Sequence, residues 1–364
     1  MKVVHLVPAM EQGGVETVVC GLNRAAVAAG WESVVVSRGG RLVARIEADG
    51  GRACALDVKS KNPLTYLSRA GRLRRLLAAE RPDLVCAHSR VPAWLFVWAN
   101  RALGLRWITY AHGANSVSRY SSVMTRGDLT VVPSHFLAGF LKAHYGLADE
   151  KIRVVHPGVD ARRFDPARLD AAAVAERRRA WGVRPDDFVV MAVGRISPVK
   201  GYGTLLDAAA RLLPRVPNLK VVLVGDADAR HRAYLAALRE RAASLFPDPT
   251  RVVFAGGETM IPECLSIASV VVSANTEKPE SFGLSMAEAL MMDRPVVAKA
   301  FGGALDIVRD GVDGLLVRDG DFAAALEAVR GRTFQGLRTS AIARFEAEAQ
   351  TRRTLAVYRE LVAG

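Results

Sequence analysis

Short runs of apolar and β-branched residues alternate along the chain with longer segments rich in Ala, Leu and Arg that have the period of an α-helix. Unbroken Val-rich runs separated by helices are typical of parallel strands that are buried on both faces. The pattern therefore predicts an α/β fold. The predicted strands are, in the first half, VVHLVP (3–8), SVVVS (33–37), LVCAH (84–88), WITYAH (107–112), LTVVPS (129–134) and IRVVH (152–156), and in the second half FVVMAVG (188–194), LKVVLVG (219–225), RVVFAG (251–256), SVVVSA (269–274) and PVVAKA (295–300).

The series of strands and helices occurs twice, which predicts two doubly wound, Rossmann-like domains. A chain of 364 residues is long enough for two cores of ordinary size. We place the N-terminal domain at 1–165, the C-terminal domain at 166–345 and a final helix at 346–364. Open α/β sheets bind ligands outside the carboxyl ends of their strands, so we expect the site in a cleft across which the two domains face each other.

The composition narrows the location and the partners. The formal net charge is +13, and 41 of the 50 basic residues are Arg. A basic surface favours phosphorylated substrates, an anionic membrane face or nucleic acid, although compositional bias accounts for part of the excess. The four cysteines form no CxxC pair, which favours buried thiols in a reducing cytosol over disulfides or a zinc site. Because no apolar run approaches the ~20 residues of a membrane-spanning helix, we expect a cytoplasmic protein.

Two loops that follow predicted strands carry residues suited to an anion. Gly13 and Gly14 stand between the first strand and its helix, where paired glycines either form a tight turn or let the backbone approach a ligand. Arg195 and Lys200 precede a helix in the second half, and two cations beside a helix start suit a diphosphate. The loop matches neither GxxxxGK[ST] nor GxGxxG, which argues against a Walker ATPase and a Rossmann dehydrogenase.

Glu280 and Glu288 form the third candidate group, within EKPESFGLSMAEALMM. Eight helical steps would separate them by ~12 Å, which exceeds the ~5–9.5 Å between the carboxyl groups of a glycosidase. Two carboxylates can instead hold two parts of one extended ligand by accepting hydrogen bonds from its hydroxyls. The alternatives are an acidic residue that favours a helix start, for Glu280, and an exposed helix face, for Glu288.

Five motifs together resemble the retaining glycosyltransferases of family 4, which have the GT-B fold. They are GGVE (13–16), AHG (111–113), VVHPGVDARRF (154–164), GRISPVKG (194–201) and ESFGLSMAE (280–288), and they span almost the whole chain in the order of that family. One departure is Val272-Ser273-Ala274, where the family commonly has a proline. The resemblance implies a nucleotide-diphospho-sugar donor, UDP- or GDP-linked, held mainly by the C-terminal domain. It also implies that the helix over 346–364 crosses back to the N-terminal domain.

The resemblance also implies roles for the candidate residues. His112 and Glu280 would be catalytic: His112 approaches the sugar from the N-terminal domain, and Glu280 binds sugar hydroxyls. Glu288 would bind the ribose. In front-face transfer the leaving phosphate helps to deprotonate the acceptor, so no cofactor and no metal are expected, and we do not assign Asp226 and Asp228 to a metal site. The diphosphate would meet Arg195, Lys200, the Gly13-Gly14 backbone and the N–H groups of Phe282, Gly283 and Leu284.

The N-terminal domain is expected to bind the acceptor. The helix over 64–79 has an apolar stripe, Leu67, Ala70, Leu73 and Leu77, flanked by Arg69, Arg72 and Arg75. Such a helix either lies on an anionic membrane or packs on its own sheet. His88 and Arg90 follow a strand end, and Arg90 either binds an anionic acceptor group or points to water.

The predicted function is therefore hexosyl transfer to a glycan or lipid-linked acceptor, with or without a phosphate group. Similarity to enzymes of lipopolysaccharide-core and surface-glycan synthesis places that acceptor at the inner face of the cell membrane, with no nucleic acid bound. One alternative is a GT-B-like nucleotide-sugar epimerase or hydrolase, which needs an acid or base such as His112 over the sugar carbon. Another is a non-enzymatic basic protein that binds anionic lipid or nucleic acid, which would leave the two glutamates and two cations in their loops by coincidence.

Overall fold

The computed structural model describes residues 1–11, 13–275 and 277–363 and divides the chain into two compact units. The first unit comprises Met1–Gly158 and Ala347–Gly364, and the second comprises Val159–Glu346. The division falls at 158/159 rather than at 165/166 because the Val159 amide donates a hydrogen bond to the carbonyl of Phe345 at 2.7 Å, within the second unit. The last helix is part of the first unit.

The secondary-structure elements alternate through both units. The strands are β1 (Lys2–Leu6), β2 (Glu32–Ser37), β3 (Arg52–Ala55), β4 (Leu84–Ala87), β5 (Trp107–Tyr110), β6 (Leu129–Val132), β7 (Ile152–Val154), β8 (Phe188–Val193), β9 (Leu219–Val224), β10 (Val252–Gly256), β11 (Val270–Ser273), β12 (Val296–Lys299) and β13 (Gly314–Val317). The helices are α1 (Gly14–Ala28), α2 (Val43–Ala48), α3 (Tyr66–Glu80), α4 (Arg90–Asn100), α5 (His135–Tyr145), α6 (Ala171–Ala180), α7 (Tyr202–Leu212), α8 (Arg232–Leu245), α9 (Ile261–Ile267), α10 (Leu284–Met291), α11 (Ala304–Ile307), α12 (Phe322–Arg330), α13 (Leu337–Phe345) and α14 (Ala347–Ala363).

The first unit is built on a parallel sheet of strand order β3-β2-β1-β4-β5-β6-β7. The direction of winding reverses between β1 and β4, which is where open α/β sheets bind ligands. Helix α14 packs against α1. Its buried Tyr358 hydroxyl lies 2.6 Å from the hydroxyl of Tyr110 on β5, so the end of the chain is fastened to the middle of this sheet.

The second unit has a parallel sheet of order β10-β9-β8-β11-β12-β13, with its reversal between β8 and β11. The strands are covered on both faces, as their unbroken apolar pattern predicts. On β8, Val189 and Met191 belong to the core on one face, whereas Val190 and Ala192 belong to the core on the other. The prediction of two Rossmann-like α/β domains is confirmed.

Two strands were not predicted from the sequence, β3 and β13. Both are edge strands, each hydrogen-bonded to a single neighbour, and each has only four residues. The four cysteines are free thiols, and three of them are buried. Among the residues that the structure describes, no helix combines the length and the apolar character needed to cross a bilayer.

Candidate functional site

Three loops of the second unit pack backbone to backbone at the reversal point of its sheet. Gly201, after β8, has φ 69°, and a Cβ there would lie 1.8 Å from the carbonyl oxygen of Ala274, after β11. Gly225, after β9, has φ 145°, and a Cβ there would lie 1.9 Å from the carbonyl oxygen of Gly194. Glycine is required at both positions, because a side chain would strain the backbone and push these loops apart.

This packing brings Lys200 and Glu280 together as an ion pair. Their side chains are 26% and 22% exposed, so the pair is only partly open to solvent. We expected Lys200 on a diphosphate and Glu280 on a sugar, and in the structure each is the partner of the other. Arg195 is different: its side chain is 62% exposed, and its Nη1 atom lies 3.8 Å from Asp228 Oδ2.

Asp228 is bound within its own turn. Its carboxylate accepts hydrogen bonds from Arg230 Nη2 at 2.9 Å and from the Arg230 amide at 3.1 Å. His231 Nδ1 lies 2.7 Å from the same carboxylate. The hydrogen bond from Arg230 is the largest cause that lowers the pKa of Asp228 to about 2. The side chain therefore shapes the loop after β9.

Helix α10 begins beside Glu280. Gly283 precedes the helix with φ 102°, and the Gly303 amide donates a hydrogen bond to the Glu280 carbonyl at 2.8 Å. Phe282 is buried, and its ring lies 5.7 Å from that of Phe345. The first amides of a helix carry partial positive charge, so Phe282, Gly283 and Leu284 place an anion-attracting backbone next to the Lys200–Glu280 pair.

Glu288 lies in the second turn of α10 and is half-buried, so it is not on an exposed helix face. Its neighbours Ala287 and Ala289 are buried. Burial raises the pKa of the Glu288 carboxyl to about 7, and the Arg163 guanidinium opposes that shift. The group can thus exchange its proton near neutral pH, which is unusual for a glutamate and common at functional sites.

The first unit has a cavity of about 240 Å³ at the carboxyl ends of β1, β4 and β5. It brings together His88, Arg90 and His112, three residues that the sequence singled out. Glu16, from the GGVE motif, lines the same cavity. The remaining lining residues are Pro8, Val15, Ser89, Tyr110, Gly113, Asn115 and Met124.

Gly13 and Gly14 precede Glu16. Gly13 has a φ of 179°, an extended backbone conformation that any residue can adopt. A Cβ at Gly13 would meet the Glu16 carboxylate at 2.4 Å, whereas one at Gly14 would meet nothing within 4 Å. We expected this backbone to receive a phosphate. In the structure the Glu16 carboxylate lies against Gly13, at the start of α1.

His88 is buried between two other histidines. Its Nε2 atom lies 3.0 Å from Nδ1 of His5, its Nδ1 atom lies 3.1 Å from Nε2 of His112, and its ring stacks on Tyr110. We expected His88 to meet the acceptor, but both of its ring nitrogens are occupied. The sequence analysis did not select His5, although a histidine inside an apolar strand is a signal that a buried polar group needs a partner.

Arg90 lines this cavity and contacts Tyr120, which lines a second one. Its Nη1 atom donates a hydrogen bond to Ser121 Oγ at 3.0 Å, and its guanidinium lies 5.4 Å from the centre of the Tyr120 ring. Tyr120 lines the second cavity, which has a volume of about 450 Å³. The other lining residues come from the segment before α3, from α3 and from α4, and they are Ser60, Lys61, Pro63, Tyr66, Leu67, Val91 and Trp94.

Helix α3 differs in two positions from the predicted amphipathic pattern. Ala70, Leu73 and Leu77 are buried, but Leu67 is 67% exposed at the second cavity. Arg69 is buried rather than solvated, and it donates hydrogen bonds to the carbonyls of Asp57 at 3.3 Å and Asn62 at 3.1 Å. These bonds hold the segment before α3 in place, which gives the second cavity a fixed wall.

Comparisons with known proteins agree with this architecture. The family model described as Glycosyltransferase Family 4 matches residues 12–163, and the one described as Glycosyl transferases group 1 matches residues 174–331. A D-inositol 3-phosphate glycosyltransferase of Kribbella flavida is 41% identical over 193 residues, which cover 51% of this chain and 44% of the relative. The chain spans about half the length of the curated relatives it matches.

Solved structures are similar over nearly the whole chain. A glycosyltransferase from Rickettsia africae has a TM-score of 0.89 at 25% identity and covers 99% of this chain and 98% of its own. HepE of Anabaena, solved in complex with UDP, has a TM-score of 0.84 at 21% identity and covers 99% of this chain and 100% of its own. The two Rossmann-like domains are those of the GT-B class. The chain belongs to family 4 of the glycosyltransferases, as its motifs indicated.

Proposed function

We propose that the protein is a retaining glycosyltransferase that moves a hexosyl group from a nucleotide-diphospho-sugar to an acceptor hydroxyl. The observation that carries the donor half is the meeting of Lys200, Glu280 and the start of α10 at the reversal point of the second sheet. A cation and helix amides suit a diphosphate, and a carboxylate beside them suits sugar hydroxyls. UDP is the favoured nucleotide because HepE was solved with UDP, and GDP is the alternative.

In this proposal the residues act on charge that develops during transfer. The bond between the anomeric carbon and the diphosphate oxygen breaks, and the acceptor oxygen bonds to the same face of that carbon. Lys200 and the α10 amides stabilise the departing diphosphate, which takes the acceptor proton. Glu280 positions the sugar, and Glu288 accepts hydrogen bonds from the ribose. The positive groups come from the chain itself, so we expect turnover with a chelator present and without a cofactor.

For the acceptor we propose a phosphorylated, lipid-linked glycan precursor, used at the inner face of the cell membrane in surface-glycan synthesis. The supporting observation is the second cavity, which places Tyr66, Trp94 and Tyr120 beside Lys61. Leu64, next to the cavity-lining Pro63, is 90% exposed. Aromatic and apolar walls with a cation at the edge suit a hydrocarbon that carries an anionic group. The Arg90–Tyr120 contact joins a wall of this cavity to a wall of the one that His112 lines.

A second candidate acceptor is a soluble polyol phosphate. The relatives named D-inositol 3-phosphate glycosyltransferase favour it. Arg90 lines the smaller cavity, and its guanidinium could meet the phosphate of such an acceptor. A polyol phosphate would leave the larger, apolar cavity without a role, and for that reason we place it second.

The donor is tested by thermal shift with UDP-, GDP-, ADP- and CMP-sugars in the presence of EDTA, with wild type beside Glu288→Ala. A ligand that binds the native state raises the melting temperature. We expect one nucleotide series to stabilise wild type and the variant to lose most of that response. No response to any nucleotide sugar, with or without Mg²⁺, would refute the transferase proposal. The anomeric configuration of the product, read by NMR, tests retention.

The acceptor is tested by donor consumption with dodecyl phosphate, dodecyl maltoside or D-inositol 3-phosphate as competitor of a lipid-linked acceptor mixture. We expect dodecyl phosphate to inhibit best, and Trp94→Ala to weaken that inhibition about tenfold, since an exposed aromatic wall contributes roughly 1–2 kcal/mol. Trp98→Ala is the matched control, because Trp98 is on the same helix but does not line the cavity. Direct glycosylation of D-inositol 3-phosphate would instead establish the second candidate.

A further inference from the structure

Three histidines form an unbroken chain of hydrogen bonds through the first unit. His5 lies in β1, His88 follows β4 and His112 follows β5, so the chain crosses three adjacent strands. The two links, His5 Nδ1 to His88 Nε2 and His88 Nδ1 to His112 Nε2, are 3.0 and 3.1 Å long. His112 lines the smaller cavity, and within the described residues its Nδ1 atom makes no hydrogen bond.

All three rings are neutral at neutral pH. Burial lowers the pKa of His5 to about 4 and that of His112 to about 4. Burial, and the two neighbouring histidines, hold the pKa of His88 well below its usual range. A neutral imidazole has one N–H and one bare nitrogen. Each link therefore needs an N–H on one side and a lone pair on the other, and the choice at one ring determines the choice at the next.

Only two arrangements of the three protons satisfy both links. In the first, His5 and His88 carry their protons on Nδ1, and His112 carries its proton on Nδ1, towards the cavity. In the second, all three protons are on Nε2, and His112 Nδ1 is a bare nitrogen. The arrangements also differ at His5 Nε2, which is bare in the first and carries a proton in the second. This atom is buried and has no partner among the described residues.

The buried end selects the first arrangement. In the second arrangement His5 Nε2 would be a buried N–H without an acceptor, and such orphan donors are rarer in proteins than acceptors that lack a donor. The groups around the chain do not reverse this choice. Tyr110 and Cys86 stay protonated, since burial raises the pKa of Tyr110 far above its usual range and that of Cys86 to about 12. The charged side chains that line the cavity have opposite signs, Glu16 and Arg90, and neither makes a hydrogen bond to His112 among the described residues.

We propose that His5 and His88 are positioning residues that hold His112 in its Nδ1–H form, so that His112 presents a hydrogen-bond donor to the cavity. The group it recognises is an oxygen lone pair, as on a sugar hydroxyl or a carbonyl. Its Nε2 lone pair is occupied by His88, so His112 is not a general base. The identity of the ligand as a sugar rests on the proposed function; the protonation state does not.

The test reads the protonation of the ring nitrogens directly. Protein labelled with ¹⁵N-histidine is examined by long-range ¹H–¹⁵N correlation at pH 7.5 without substrate, and the seven histidines of the chain are assigned by single His→Gln variants. We expect His5, His88 and His112 all as neutral Nδ1–H tautomers. A bare Nδ1 on His112, or a positively charged ring, would overturn the proposal.

A variant then tests whether the buried end controls the open end. His5→Phe removes the donor to His88 Nε2, so we expect His112 to become a mixture of tautomers. Val35→Ala is the matched control. Val35 is the buried register partner of His5 on β2, but it is not one of the three hydrogen-bonded histidines. An unchanged His112 tautomer in His5→Phe would reject the role of His5. His5→Leu, which also lacks a donor, replaces it if the Phe variant does not fold. An enzyme inactive with every nucleotide sugar would refute the proposed function and leave these spectra as they are.

Discussion

The ammonium group of Lys200 and the carboxylate of Glu280 form an ion pair that joins the loops after β8 and β11. In the absence of donor each group neutralises the other, so a diphosphate would have to compete with Glu280 for the cation. We expect Lys200→Ala to weaken UDP binding by roughly 10- to 100-fold, or about 1.4–2.8 kcal/mol. Glu280→Gln should bind UDP at least as tightly as wild type, because its Lys200 is released, while sugar transfer falls.

Isothermal titration with UDP and with the UDP-sugar separates these effects. Arg215→Ala is the control, since Arg215 pairs with Glu327 on the surface of the same unit, 56% exposed. Surface pairs of that kind contribute only about 0–1 kcal/mol, so binding should not change. Equal losses of UDP affinity in both site variants would show that the pair only holds the loops.

The raised pKa of Glu288 predicts that donor binding depends on pH. Its carboxyl has a pKa of about 7 in place of 4.5, so the carboxylate that would bind the ribose is half formed at neutrality. We expect donor affinity to rise from pH 6 to pH 8 in wild type and to stay flat in Glu288→Gln. Titrations with donor at constant ionic strength measure the affinity of each protein at each pH. If the affinity of Glu288→Gln changed with pH as that of wild type does, the pH dependence would belong to another group.

The same shift predicts a stability effect in the second unit. A folded-state pKa above the unfolded value means that the native state holds more protons, so stability falls as pH rises from about 4.5 to about 7. Glu288→Gln removes that loss, which we place on the order of 2 kcal/mol. Hydrogen exchange of the β8 and β11 peptides should therefore slow in the variant at pH 8 and match wild type at pH 5, after correction for intrinsic rates.

The histidine chain predicts the opposite pH dependence in the first unit. His5 and His112 have a pKa of about 4 in place of 6.5, so the native state holds fewer protons and stability is lost as pH falls from 6.5 towards 4. We expect a loss of about 2–4 kcal/mol over this range, seen as faster exchange in β1 and β5. His5→Phe should reduce the change of stability with pH. His144→Gln, at an exposed position, should leave that change as it is in wild type.

Gly283 is predicted to be essential for the start of α10. Its φ of 102° strains any other residue, and a Cβ would meet Met286 Cε at 2.2 Å. We expect Gly283→Ala to lower the free energy of unfolding by about 1–2 kcal/mol and to weaken UDP binding as the helix start shifts. Gly203→Ala is the control in the same unit, because a Cβ there meets nothing within 4 Å. Urea denaturation and titration with UDP measure the two effects, and an unaltered UDP affinity would remove the helix start from the donor site.

The sequence predicted the interior of the fold better than its edges and its contacts. Central strands such as β8 and β11 are buried on both faces, so nearly every position is apolar. Edge strands β3 and β13 need fewer such residues, and their short segments carry no distinct pattern. Motif spacing selected Lys200 and Glu280, but not their pairing, because 80 residues separate them and only the packing of Gly201 on Ala274 brings their loops together.

The first unit shows a similar limit. The resemblance selected His112, and the strand ends selected His88, but the order of β1, β4 and β5 in the sheet is needed before His5 can be placed beside them. Arg69 was expected in solvent because it flanks the apolar stripe of α3. In the structure Arg69 is buried because it donates hydrogen bonds to the carbonyls of Asp57 and Asn62. These carbonyls lie outside α3, so the periodicity of the helix does not predict their positions.

The return of α14 to the first sheet sets an order of maturation on the ribosome. Tyr110 and the Tyr358 that covers it are 248 residues apart, so at about 5–20 residues per second the first sheet waits roughly 10–50 s for its last helix. The second unit is one continuous segment, Val159–Glu346, so all of it is synthesised before α14. The first unit alone depends on two distant segments of the chain, and the apolar face of α1 under α14 is the surface that a nascent-chain chaperone would meet in the interval.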